Sequence, residues 1–294
     1  MNRWRPWLVA VCVLFAVVSR AGLEFEDDLG KPVRLAAPAQ RVVSLAPFIT
    51  ELVYAVGAQE VLVGVSEYSD HPPAARALRR VSNAFAIDYE SILALQPDLV
   101  LTWGSGNGER VRRRLIELGL EVFTLEPRRL RDVSRSLRLV GQLTGHVAAG
   151  AEQALAFEHH IAGLEKRHAG GRSLKVFYQI ADQPIMTLNG GHLVSEVIEL
   201  CGGTNVFHDL TPLAPAVTLE EVVVRDPDVV IVSSELKHHA EVIESWRALG
   251  AFRAARSGHL YAVESDLLDR QTPRLVQGAE RLCAILQQVR AGVQ

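Results

Sequence analysis

Residues 89–103, YESILALQPDLVLTW, lie over residues 219–233, LEEVVVRDPDVVIVS, without a gap, and each copy carries an acid seven residues before Pro-Asp. A polar residue, Asp88 or Thr218, precedes that acid by two, the order of a helix N-cap followed by an acid in the first turn. The spacing predicts a short helix in each copy that stops at Pro97 or Pro227. The apolar runs after Pro-Asp, LVLTW and VVIVS, show no alternation and are rich in branched residues, which predicts strands buried on both faces of a parallel sheet.

A second pair of segments repeats in the same order: TELVYAVGAQEVLVG (50–64) and SEVIELCGGTNVFHD (195–209). Each reads as an amphipathic helix led by an acid, Glu51 or Glu196, and ending in small residues, Gly57-Ala58 or Gly202-Gly203. The duplication predicts two related α/β lobes in tandem. Between them, apolar residues including Ala151, Leu155, Phe157, Ile161 and Leu164 recur near helical spacing up to Gly170-Gly171, predicting one long helix from lobe to lobe. The expected organisation is a hairpin extension over 22–40 with its turn at Asp28-Leu29-Gly30, a first lobe over 41–145, a linking helix over 146–171 and a second lobe over 172–294.

The N-terminus MNRWRPWLVAVCVLFAVVSRAG has arginines at 3 and 5, an apolar stretch from Trp7 to Val18, and small residues at Ser19 and Ala21. Those are the features of a cleaved secretory signal over 1–21, and the apolar stretch is too short to span a bilayer. Val11 before Cys12 argues against a lipid-modified cysteine. Loss of the three arginines up to Ala21 takes the formal charge from −3 to −6, which argues against nucleic acid as a partner. Cys201 and Cys283 then remain; an oxidising compartment favours their pairing, against the alternative of two separate buried thiols.

No G-x-S-x-G, Walker or H-E-x-x-H pattern is present in the chain, so the sequence gives no catalytic constellation. The G-x-G-x-G of WGSGNGER has the wrong spacing for a dinucleotide loop and reads as a glycine-rich strand-to-helix turn. His159-His160 and His238-His239 point apart on helices, which argues against a metal site. RVRRRLIELG reads as a solvated helix face. Trp103 and Tyr68 each follow a strand and precede a polar turn, which places them where open α/β sheets bind ligands, beyond the carboxyl ends of the strands.

RVVSLAP (41–47), SEYSDHPP (66–73), QPDLVLTWGSGNGER (96–110), VIELCGGTNVF (197–207) and SDLLDRQTPR (265–274) together resemble class III periplasmic binding proteins for iron chelates and cobalamin. S-E-Y-S-D-H-P-P, W-G-x-G-N and S-D-x-x-x-R are closest to the cobalamin branch. The resemblance implies two Rossmann-like lobes joined by a single long helix, with no cofactor and no chemistry of their own. It implies that Tyr68 and Trp103 line a corrin ring from one lobe, that Asp266, Leu267, Leu268, Asp269 and Arg270 meet it from the other, and that Cys201 and Cys283 form a disulfide. It also implies a monomer in which Glu90 and Glu220 dock onto an inner-membrane ABC permease dimer with its ATPase subunits. The branch carries further cleft aromatics where this chain has Ala84, Met186 and Ala214, with Phe85 one residue from the first of these. That loss of flat apolar surface leaves a different corrinoid, a ferric siderophore or haem as alternatives; a secreted nucleotide-using enzyme is the alternative from another class.

Overall fold

The structure is a computed structural model that describes residues 22–83, 86–168, 170–234 and 239–292. The segment read as a signal lies outside the described residues, as do Ala84, Phe85 and His238.

The N-terminal strands β1 (Leu23–Glu26) and β2 (Pro32–Leu35) form an antiparallel hairpin. Its turn is tied by Asp27, whose Oδ1 accepts from the backbone N–H groups of Leu29 and Lys31. Five parallel strands follow in the first lobe: β3 (Val42–Ser44), β4 (Leu62–Ser66), β5 (Arg80–Ser82), β6 (Leu99–Trp103) and β7 (Val122–Leu125). Their spatial order is β5-β4-β3-β6-β7, so the winding direction reverses between β3 and β6.

The second lobe repeats this plan with β8 (Leu174–Asp182), β9 (Ile185–Thr187), β10 (Gly203–Asn205), β11 (Val229–Ser234) and β12 (Leu260–Glu264). The parallel order is β10-β8-β11-β12, with β9 turned back antiparallel on β8. LVLTW is β6 and VVIVS falls within β11, each flanked on both sides by parallel partners. Their inner residues Leu99, Val100, Leu101, Val229, Val230 and Ile231 are fully buried, because helices cover both faces of each sheet.

The repeat extends to backbone detail. Asp88 caps helix Tyr89–Ala94 by accepting from Ser91 N at 2.9 Å, and Thr218 caps helix Leu219–Arg225 through a reciprocal box with Glu221. After both helices the residue immediately before proline, Gln96 or Asp226, is left-handed, each with φ of 47°.

One expectation needs correction. The helix containing Glu51 does not begin with that acid: it runs Pro47–Ala55, with proline in its first turn, and Glu51 is buried. Pro47 follows β3 so closely that the chain enters the helix three residues before the TELV pattern shows. The Glu196 helix, Leu193–Leu200, does have its acid in the first turn.

Helix Leu130–Leu143 closes the first lobe, and a single helix, Val147–His168, joins the lobes. Gly141 and Gly150 let these two helices cross closely, their Cα atoms leaving only about 3 Å for an added Cβ on either side. His159 and His160 are exposed on the linking helix. Cys201 and Cys283, both fully buried, are joined in a disulfide that ties the end of helix Leu193–Leu200 to helix Leu275–Gly292.

Candidate ligand-binding site

A cavity of about 520 Å³ opens beyond the carboxyl ends of β3, β4, β5 and β6, the reversal point of the first sheet. Tyr68 and Trp103 both line it, with Tyr89, Asn107 and Arg110 among their neighbours.

Trp103 is the last residue of β6 and is held by the turn that follows. Its backbone N–H donates to Asn107 Oδ1 at 2.7 Å, while Asn107 Nδ2 donates to the Leu45 carbonyl at 3.1 Å. One side chain therefore bridges the ends of β3 and β6. The indole packs edge-on against Phe48, with ring centroids 5.8 Å apart. A Cβ on Gly106 would sit 1.9 Å from Trp103 Cε3, so the glycine is required for the turn to lie against the indole. The G-x-G-x-G turn is an aromatic seat, with a kink at Gly108 where φ is 77°.

Tyr68 projects from the loop after β4 at φ 63° and is 57% exposed. A left-handed tyrosine needs support, and a buried hydroxyl chain supplies it. Thr50 Oγ1 lies 2.9 Å from Ser44 Oγ and 3.0 Å from Ser69 Oγ, and Ser69 Oγ lies 3.1 Å from Ser66 Oγ. From outside, Arg80 Nη1 donates to the Ser69 carbonyl at 2.9 Å.

The second lobe reaches this loop through Arg270. Its Nη1 donates to Glu51 Oε1 at 2.8 Å and to Asp70 Oδ1 at 3.0 Å, and its Nη2 lies 2.8 Å from Asp266 Oδ1. Arg274 adds ion pairs at 3.4 Å to Glu51 and 3.6 Å to Asp266. Burial raises the Asp70 carboxyl, but the hydrogen bond and charge of Arg270 outweigh it and hold the group below the usual carboxylate range.

The expected five-residue loop divides in two. Asp266 and Arg270 stand at the junction between lobes, whereas Leu267 and Leu268 are buried in the scaffold. Asp269 is also turned inward: its carboxylate accepts from Tyr178 Oη at 2.7 Å and from Ser233 Oγ. Those partners sit on β8 and β11, so Asp269 anchors the loop to the reversal point of the second sheet. Burial pushes its carboxyl up to about 6. Gly278 makes room for the loop, since a Cβ there would lie 2.4 Å from the Leu267 carbonyl oxygen.

Met186 is half-buried in β9, and Ala214 is exposed in the loop between β10 and helix Leu219–Arg225. The remaining tryptophan of the described residues, Trp246, is packed against Phe177 and Phe252 and donates to Gln179 Oε1 at 2.6 Å. Glu90 and Glu220 are both exposed in the first turns of the paired helices, and neither makes an ion pair among the described residues. Sequence reading passed over Glu51, Asp70 and Arg274 as members of the junction; the only local hint is the four-residue spacing of Arg270 and Arg274.

The family profile for periplasmic binding proteins matches residues 42–267. The vitamin B12-binding protein of Vibrio cholerae serotype O1 is 35% identical over 249 residues, covering 85% of this chain and 90% of that protein. The vitamin B12-binding protein of Yersinia pestis is 36% identical over 248 residues, covering 84% and 86%. The crystal structure of the periplasmic vitamin B12 binding protein BtuF of Vibrio cholerae superposes with a TM-score of 0.80 at 36% identity, covering 86% of this chain and 98% of that one. The cavity at the strand ends, the single linking helix and these matches have one reading: the chain belongs to the periplasmic binding protein family.

Proposed function

We propose that this protein captures a corrinoid, with cobalamin as the foremost candidate, and delivers it to an inner-membrane ATP-driven importer without altering it. The observation that carries this reading is the cavity walled by Tyr68 and Trp103; from the opposite lobe Arg270, paired with Asp266, reaches Asp70, two residues beyond Tyr68. A flat corrin ring supplies apolar faces for the aromatics and a fringe of amides that can donate to Asp266 and accept from Arg270.

Delivery is assigned to the two repeated acids. Helix capping is satisfied at Asp88 and at the Thr218–Glu221 box, so Glu90 and Glu220 are not needed for it. Their matched positions on two related lobes suit a transporter with twofold symmetry, one acid for each permease subunit. The protein acts as a monomer exported through cleavage of residues 1–21.

Purified protein incubated with cobalamin and then desalted should retain the visible absorption of the corrinoid at one equivalent. A colourless protein fraction under conditions where the fold is intact would refute the reading.

A further inference from the structure

A second cavity, of about 500 Å³, adjoins the aromatic one. It is lined by Tyr89, Arg110, Arg113, Arg114 and Glu117. Tyr89 and Arg110 line both cavities, so the two spaces share a wall made of one aromatic and one cation. The three arginines fall at i, i+3 and i+4 of one helix, hence on one face. Arg114 is paired with Glu117 at 3.2 Å. Arg110 and Arg113 make no ion pair among the described residues, while the intervening Arg112 turns the other way toward Asp27 and Glu109.

Formally the second cavity holds three cations and one anion. That excess of positive charge lies on a protein whose formal charge is negative. Within the run RVRRR, read from sequence as a solvated helix face, Arg110, Arg113 and Arg114 thus form a concave basic surface that adjoins the ligand cleft. An arginine fork without a carboxylate is suited to phosphate oxygens, which it can meet with two parallel N–H donors.

We infer that Arg110 and Arg113 form an anion subsite of the ligand cleft that takes a phosphodiester carried on the ligand's tail while the ring lies against Trp103. The inference rests on the corrinoid reading and adds a specificity to it: a corrinoid bearing a nucleotide tail should be preferred over one that lacks it.

The experiment compares cobalamin with cobinamide, which has the corrin ring but no phosphodiester, on the full mature chain and on R110Q/R113Q. Both positions are exposed, and an unchanged thermal midpoint verifies that the variant folds. The ratio of cobalamin to cobinamide affinity should fall about three- to tenfold in the variant, the range of an exposed charge-assisted contact. Inorganic phosphate should compete with cobalamin more than with cobinamide in the wild type, separating the ligand's own phosphate from a site for free anion. An unchanged ratio with both corrinoids still bound would overturn the subsite and leave the corrinoid reading standing. Failure of the wild type to bind either corrinoid would remove that reading itself. Impaired delivery to an importer at an unchanged ratio would also overturn the subsite, since it would give the arginines to docking.

Discussion

Glu51 and Glu196 hold the same position in the two halves of the repeat, and each reaches across to the other lobe. Glu51 accepts from Arg270 at 2.8 Å. Glu196 accepts from Arg129 Nη1 at 3.1 Å and from the Leu130 backbone at 2.7 Å, capping the helix that leads into the linking helix. The lobes are thus fastened twice by the acid that the repeat places at corresponding positions. Physically the fastenings differ, because Glu51 is 4% exposed whereas the Arg129 side chain that meets Glu196 is 57% exposed.

That difference predicts unequal losses. Glu51→Gln leaves Arg270 and Arg274 short of a buried counter-charge and should cost about 3–5 kcal/mol of unfolding free energy. Glu196→Gln should cost about 1 kcal/mol or less, since a solvated pair contributes little. Denaturant unfolding of the two variants reads the contrast directly; equal losses would mean that the Glu51 cluster is screened by water.

The docking assignment predicts a separation of binding from delivery. Glu90→Arg and Glu220→Arg should each leave ligand affinity and thermal midpoint near wild type while reducing uptake in a reconstituted importer, and the double variant should abolish it. Charge reversal is used because a like-charge contact is penalised beyond loss of the attraction. Unchanged uptake by the double variant would reduce both residues to helix-start acids, where the macrodipole alone stabilises them by about 0.3–1 kcal/mol.

Asp269 predicts a pH dependence of stability. Its folded-state carboxyl titrates at about 6, raised from 3.8 by burial, so between those values the folded chain binds a proton that the unfolded chain has released. Stability from this group is full below the unfolded value and is lost as pH rises through about 6. The shift corresponds to about 3 kcal/mol at most. Asp269→Asn, neutral throughout, should remove that fall, and unfolding free energies measured at about pH 4 and about pH 7 should differ less in the variant than in the wild type. An identical difference in both proteins would place the titration elsewhere.

Much of this fold is legible locally. LVLTW and VVIVS read as strands because burial on both faces leaves no alternation, and Thr218 with Glu221 reads as a capping box because its two hydrogen bonds join residues three apart. The start of the helix at Pro47 is hidden because it follows β3 with almost no turn residues. The Glu51–Arg270 contact joins residues 219 apart in sequence, and no periodicity reports a partner at that distance. Asp269 looks like a ligand donor in SDLLDR, yet its partners Tyr178 and Ser233 come from two other strands. Likewise, helical spacing puts Arg110 and Arg113 on one face but cannot show that Tyr89 folds over to make that face concave.

Trp103 is the proposed wall against which a corrin ring lies. Cobalamin absorbs strongly where tryptophan emits, so titrating it into the protein should quench Trp103 emission stoichiometrically. Trp103→Ala should weaken binding by about 1–3 kcal/mol through loss of apolar contact. Undiminished tryptophan emission and no corrinoid binding, alongside micromolar binding of a ferric siderophore, would rule out a corrin ring against Trp103.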